Sequence, residues 1–144
     1  MLYIDTSVLL VYTLTQALEP ARYTSTRKLV AKIATGKLAA ATSFYALHEV
    51  YLFALGNAPD FPTGAAFGKG ALNRILRLPL QIFPLVSREE RRLLGRKLSA
   101  LPDASDMPHA VAALLHGCEA IVAYDEHFRA ITHVIGYKTP ADCV

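Results

Sequence analysis

The sequence predicts an α/β fold, a parallel sheet with helices on both faces. Three observations carry that expectation. Short apolar runs alternate with longer helical stretches along the chain. Two of the runs, ending at Ile4 and at Tyr124, are unbroken in the way of strands buried on both faces. Each of those two is followed directly by an acid, Asp5 or Asp125.

Residues 1–5 read as a first strand closed by Asp5, and a helix follows over 6–17. Glu19-Pro20 interrupts it, and Pro20 suits the first turn of a second helix that stops at Gly36. Residues 38–42 are short, apolar and bounded by polar residues, a second strand despite the poor strand propensity of alanine. Ser43 is placed to cap a third helix over 44–55, with Gly56 and Asn57 as its stop. Pro59 and Pro62 mark 57–63 as a loop, and 64–78 reads as a fourth helix that Gly68 and Gly70 make mobile.

Pro84 confines a strand over 80–86 to a sheet edge. Ser87 and Glu90 form a capping box for a fifth helix over 88–100. The connector 101–105 supplies Ser105 as the cap of a helix over 106–116, which Gly117 ends. Residues 120–124 are the next buried strand, 126–131 a helical turn and 133–137 a last edge strand. No repeat or low-complexity segment breaks the series, and 144 residues fit one domain, 1–144.

Composition excludes several classes. With 53% hydrophobic residues, a net charge of +3 and a mean hydropathy of +0.29, the chain is expected to bury a core rather than stay disordered. Its longest apolar runs, 8–14 and 110–115, fall far short of the roughly 18 residues of a membrane span. Asp5 stands where a signal peptide would be basic, so the expected location is the cytoplasm. Cys118 and Cys143, without a CxxC or HxxxH run, exclude a zinc framework and read as reduced thiols. Residues 69–97 hold eight basic and two acidic side chains, so the remainder of the chain is net negative. A protein that draws in a polyanion with one region and performs acid chemistry with another has this asymmetry, and so does one with a solvated helix face.

In an open parallel sheet, ligands gather beyond the carboxyl ends of the strands. Asp5 and Asp125 stand at two such ends. Asp106, at a helix start, and Glu49, the sole formally charged residue between Lys37 and Asp60, can reach the same rim. Each alone has a plain structural role: Asp5 and Asp125 as strand ends or caps, Asp106 favouring a helix dipole, Glu49 on a narrow solvent face. Four carboxylates together would repel and raise one another's pKa unless cations neutralised them. Hard oxygen donors select Mg²⁺ or Mn²⁺, and the chemistry implied is phosphodiester hydrolysis.

Four segments carry a resemblance: Tyr3-Ile4-Asp5-Thr6-Ser7-Val8-Leu9-Leu10, Thr42-Ser43-Phe44-Tyr45-Ala46-Leu47-His48-Glu49, Ser105-Asp106-Met107-Pro108-His109-Ala110 leading to Gly117, and Ile121-Val122-Ala123-Tyr124-Asp125-Glu126-His127-Phe128. In order and spacing they resemble the motifs of the PIN-domain family, most of all the VapC-type toxins of prokaryotic toxin–antitoxin pairs. The resemblance implies a three-layer α/β/α fold around a parallel sheet of four to five strands, and Mg²⁺- or Mn²⁺-dependent cleavage of RNA. It makes Asp5, Glu49, Asp106 and Asp125 the catalytic and metal-binding acids. Within that set, Asp5 and Asp106 are the expected principal ligands, Asp125 a ligand or through-water partner, and Glu49 the residue orienting the attacking water. Thr6 or Ser7 would hold a water or phosphate by its hydroxyl, and Asp103 reads as an outer acid or a loop residue. An antitoxin partner and a homodimer are implied as well, the latter through the apolar helices around 30–33 and 44–55.

Two positions depart from the pattern. Members often carry Thr or Ser two residues before the fourth Asp, where Ala123 stands, and an acid two residues after it, where His127 stands. The missing hydroxyl would weaken metal or phosphate positioning, and His127 reads as a surface histidine in preference to a phosphate contact. His48 and His109 read as structural. Arg88, Arg91, Arg92 and Arg96 share one broad helix face at steps of three and four, as phosphate or antitoxin contacts. An RNA-processing nuclease without an antitoxin and a non-catalytic RNA- or protein-binding module are the competing readings. An aspartyl phosphatase would need an acid where Ser7 stands, and a dinucleotide site a glycine-rich turn after the first strand.

Overall fold

The computed structural model describes residues 1–144. Five short strands, β1 (Leu2–Ile4), β2 (Ala40–Ser43), β3 (Gln81–Phe83), β4 (Ala120–Val122) and β5 (Gly136–Lys138), form one sheet. All neighbours pair in parallel, in the order β3-β2-β1-β4-β5. The helices are α1 (Thr6–Thr13), α2 (Pro20–Ala34), α3 (Phe44–Gly56), α4 (Phe61–Leu76), α5 (Arg88–Gly95) and α6 (Met107–Leu115). Short 3₁₀ turns lie at Arg96–Leu98, Ala104–Asp106, Glu126–Ile131 and Pro140–Cys143.

Side-chain alternation divides the core between the two faces of the sheet. Leu2 and Ile4 of β1, with Ala120 and Val122 of β4, pack against Val8, Leu29, Val50 and Ile75 of α1 to α4. Tyr3 and Ile121 point the other way, onto Val111 of α6 and onto Leu98, Phe128 and Ile131 from the 3₁₀ turns. The result is the three-layer α/β/α arrangement expected, with β3 and β5 at the edges.

Several boundaries differ from the sequence expectation, each for a local reason. The first helix ends at Thr13 rather than 17, because the Thr15 hydroxyl donates to Glu19 Oε2 at 2.7 Å and turns the chain early. The stretch 57–63 is not wholly loop: Asp60 accepts from the Thr63 amide at 2.8 Å, and Pro62 occupies the first turn of α4. Ser105 does not cap the helix over 107–115; Asp103 accepts from the Ser105 amide and hydroxyl and starts a 3₁₀ turn instead. The fifth helix stops at Gly95 and tightens into 3₁₀, and β2 and β5 begin later than expected. Gly68 permits a close approach of two helices, since a Cβ there would lie 2.6 Å from the Tyr51 ring.

Both cysteines are free thiols, as expected. No helix is long and apolar enough to cross a membrane.

Candidate active site

From β1 the chain builds outward through β2 to β3, then returns to the other side of β1 as β4. The carboxyl ends of β1 and β4 therefore flank the point where strand order reverses, the place where an open parallel sheet leaves a crevice. Asp5 directly follows β1 and Asp125 lies just past β4.

Asp5 is buried, 5% exposed, and its Oδ2 accepts from the Ser7 amide at 3.0 Å and from the Ser7 hydroxyl at 2.7 Å. The same hydroxyl accepts from the Tyr124 amide at 3.0 Å, which ties the end of β1 to the end of β4. Asp5 thus caps α1 while its other oxygen, Oδ1, stays clear of those bonds, 3.7 Å from His109 Nδ1. Ser7 and Thr6 spend their hydroxyls on acids: Thr6 donates to Glu49 Oε1 at 2.7 Å.

Glu49 is not on a free solvent face. Its Oε1 also meets His109 Nε2 at 2.5 Å, and the other ring nitrogen, Nδ1, lies 2.8 Å from the Tyr3 hydroxyl, which is 2.7 Å from Ser43 Oγ. Ser43 caps α3, the helix that carries Glu49. A continuous polar chain therefore runs from the cap of α3, through Tyr3 and His109, back to a carboxylate on the same helix. His109, 2% exposed, and Tyr3 were not among the residues expected here. His109 stands three positions after Asp106, the spacing that places two helical side chains on one face, and that signal is readable in the sequence.

Asp106 reaches the rim from the start of α6, itself buried. Its Oδ2 is 3.2 Å from His127 Nδ1, which lies equally 3.2 Å from Asp125 Oδ1. Asp125 also accepts from the His127 amide at 2.9 Å. His127 is exposed at the surface, as expected, and its ring is seated between two of the acids. Asp103, Asp106 and His127 offer ligand atoms within 4.8 Å of one another. Ala123 is fully buried among the side chains packed on the α6 face of the sheet.

Electrostatics follow this geometry. Burial, then the charge of Asp125, with Asp5 and Asp103 adding to it, pushes the Asp106 carboxyl up to about 6. Burial also works to raise Glu49, yet the bonds from His109 and Thr6 outweigh it and hold this carboxyl below its usual range. The expectation that all four acids raise one another's pKa is thus met by Asp106 and reversed for Glu49. Burial alone would lower His109, but its bond to Glu49 and the charges of Asp5, Glu49 and Asp106 leave it raised. The donor set suits a hard divalent cation: neighbouring carboxylates, one of them raised by burial and by the charge of another, where a cation would supply the missing counter-charge.

The arginines divide. Arg88, Arg92 and Arg96 line adjoining surface depressions along one stripe of α5 and the turn after it. Arg91 lines neither depression; burial and then the charge of Glu49 raise the Tyr45 hydroxyl, and the charge of Arg91 opposes that rise in part. The Tyr45 ring is 5.1 Å from that of His109, so the charge of Arg91 is felt at the edge of the polar chain around Glu49.

A family model of the PIN domain matches residues 2–134. No curated protein sequence gives a significant match. Among solved structures, FitAcB from Neisseria gonorrhoeae superposes with a TM-score of 0.67 at 16% identity, covering 97% of this chain and 98% of that one. VapC20 of Mycobacterium tuberculosis, a sarcin-ricin loop cleaving toxin, gives 0.67 at 15% identity over 90% of this chain and 94% of its own. VapBC2 from Rickettsia felis, solved bound to a DNA fragment from its promoter, gives 0.64 at 18% over 96% and 98%.

Proposed function

The chain belongs to the PIN-domain family, and on that premise we propose that it is a metal-dependent endoribonuclease, the toxin of a toxin–antitoxin pair. The observation that carries the proposal is that Asp5 and Asp125 stand past the ends of β1 and β4 at the sheet's reversal point, that Asp106 and Asp125 share His127, and that burial with the charges of Asp125 and Asp5 lifts the Asp106 carboxyl to about 6. Asp5, Asp106 and Asp125 would hold Mg²⁺ or Mn²⁺. Such an ion, when bound, neutralises phosphate charge and acidifies a bound water.

The chain's own residues do the rest. Ser7 fixes Asp5 and ties it to the end of β4, so the two lips of the crevice keep one spacing. Glu49, kept ionised by His109 and Thr6, is the acceptor that would orient a water for in-line attack on phosphorus. Arg91 would meet the scissile phosphate, and Arg88, Arg92 and Arg96 would extend a phosphate track. Two exposed apolar patches offer partner surfaces for a homodimer and an antitoxin. Phe44, Ile82 and Leu85 lie beside edge strand β3, and Leu18, Phe53 and Phe67 line a cleft between α1, α3 and α4. The expected surface at 30–33 is not available in full, because Ile33 is buried in the core. The protein is proposed to act in the cytoplasm, where RNA is.

The test is cleavage of a pool of structured and single-stranded RNAs with Mg²⁺, Mn²⁺ or EDTA, beside Asp5→Asn. Cutting that needs the metal and falls at least about 100-fold in the variant is expected. Wild-type protein that binds RNA but never cuts would move the non-catalytic module ahead, and cutting unchanged in Asp5→Asn would sink the site.

A further inference from the structure

We propose that His127 is a nitrogen ligand of the metal centre and makes it selective for Mn²⁺ over Mg²⁺. The proposal rests on the reading of this rim as a divalent-cation site.

The imidazole is built into the acids. His127 Nδ1 is 3.2 Å from Asp106 Oδ2, at the start of α6, and 3.2 Å from Asp125 Oδ1, past the end of β4. Neighbouring donors of an octahedral ion, each about 2.1–2.2 Å from the metal, lie about 3 Å apart, so both spacings match an edge of one coordination sphere. Asp103 adds an oxygen within 4.8 Å of the same atoms, with Oδ1 held by Ser105 and Oδ2 left over. The amide of His127 donates to Asp125, which fixes the backbone from which the ring projects. A histidine merely on the surface needs none of these: half-exposed, it has water to turn to, yet its Nδ1 faces two carboxylates.

Donor chemistry then sets the metal. An all-oxygen site suits Mg²⁺, which sheds its water reluctantly and gains little from imidazole. Replacing one oxygen by nitrogen favours first-row transition ions, of which Mn²⁺ is the most tolerant of the remaining carboxylates. His127 stands two residues after Asp125, where family members often carry an acid, so in this chain a single side chain exchanges an oxygen ligand for a nitrogen one.

Metal binding to the intact, metal-stripped protein tests this without any reaction. Calorimetric titration with Mn²⁺ and with Mg²⁺ would be made on wild type, His127→Ala, His127→Asp and Asp106→Asn, with electron spin resonance of the Mn²⁺ complexes on ¹⁵N-labelled protein. Wild type is expected to bind Mn²⁺ at least about tenfold more tightly than Mg²⁺ and to show nitrogen hyperfine coupling. His127→Ala should lose that coupling and about tenfold in Mn²⁺ affinity, with Mg²⁺ within about twofold. His127→Asp should shift preference back toward Mg²⁺. Binding lost in Asp106→Asn with Mn²⁺ affinity and coupling unchanged in His127→Ala would keep the metal centre and overturn the ligand. Wild type that binds neither ion would overturn both.

Discussion

Burial and the charge of Asp125 lift the Asp106 carboxyl to about 6, so the folded, metal-free protein binds a proton there more tightly than the unfolded chain does. Stability from this group is therefore present in full below the ordinary carboxyl range and is lost as pH rises through about 6. Asp106→Asn removes the penalty. In EDTA the variant should exceed wild type by about 1–2 kcal/mol at a pH of about 7.5 and equal it near about 4, measured by urea unfolding; a gain at the lower pH would contradict the linkage. The same shift predicts metal affinity that falls as pH drops through about 6, because the cation must displace the proton. Tyr3 presents a second case at this scale. Tyr3→Phe leaves His109 Nδ1 and Ser43 Oγ buried without their shared partner and should cost about 1–2 kcal/mol. Unchanged stability in that variant would mean water or rotation replaces the hydroxyl.

Two glycines of α4 set opposite expectations within one helix. Gly68 lies against the Tyr51 ring of α3, so Gly68→Ala must displace that ring or push the helices apart and should destabilise by about 1–3 kcal/mol. Nothing lies within 4 Å of a Cβ at Gly70, and Gly70→Ala should stabilise by about 0.5–1 kcal/mol through helix propensity alone. Urea unfolding of the pair decides it, and equal shifts of the same sign would discard the packing account. The contrast explains what was readable beforehand. Element type and order follow from local patterns: unbroken apolar runs give β1 and β4, Pro20 and Gly36 bracket α2, and Ser87 with Glu90 caps α5. The role of Gly68 depends on Tyr51, seventeen positions away in another helix, and no local pattern contains it. The site divides likewise. Asp5 and Asp125 are legible as acids closing apolar runs, whereas the link from Tyr3 to His109 spans 106 positions and exists only once β1 and α6 are packed.

Across the whole molecule, charge is separated: Asp5 and Asp125 stand at the sheet's reversal point, and the positive excess of residues 69–97 is spread over the end of α4, α5 and the turn after it, α5 leaving β3 at the same rim. A polyanion approaching the crevice meets repulsion from any acid not neutralised, so its binding must come from cations beside the site. Arg88, Arg92 and Arg96, at steps of four along one stripe, are spaced for successive phosphates, and Arg91 lines neither of the depressions along it. Each phosphate contact on a single strand contributes about 0.7 to the slope of log K against log salt. Replacing all three stripe arginines by Ala, in an Asp5→Asn background that prevents cutting, should therefore flatten the slope by about 2. Arg91→Ala, one contact at most, should flatten it by no more than about 0.7. Fluorescence anisotropy of a labelled oligoribonucleotide at several salt concentrations measures both. A triple variant with the wild-type slope would show that the stripe is a solvated helix face and that RNA enters from another side. A flattened slope with weaker binding would make α5 the part of the fold that brings substrate to the acids, the division of labour that the uneven charge of the sequence implies.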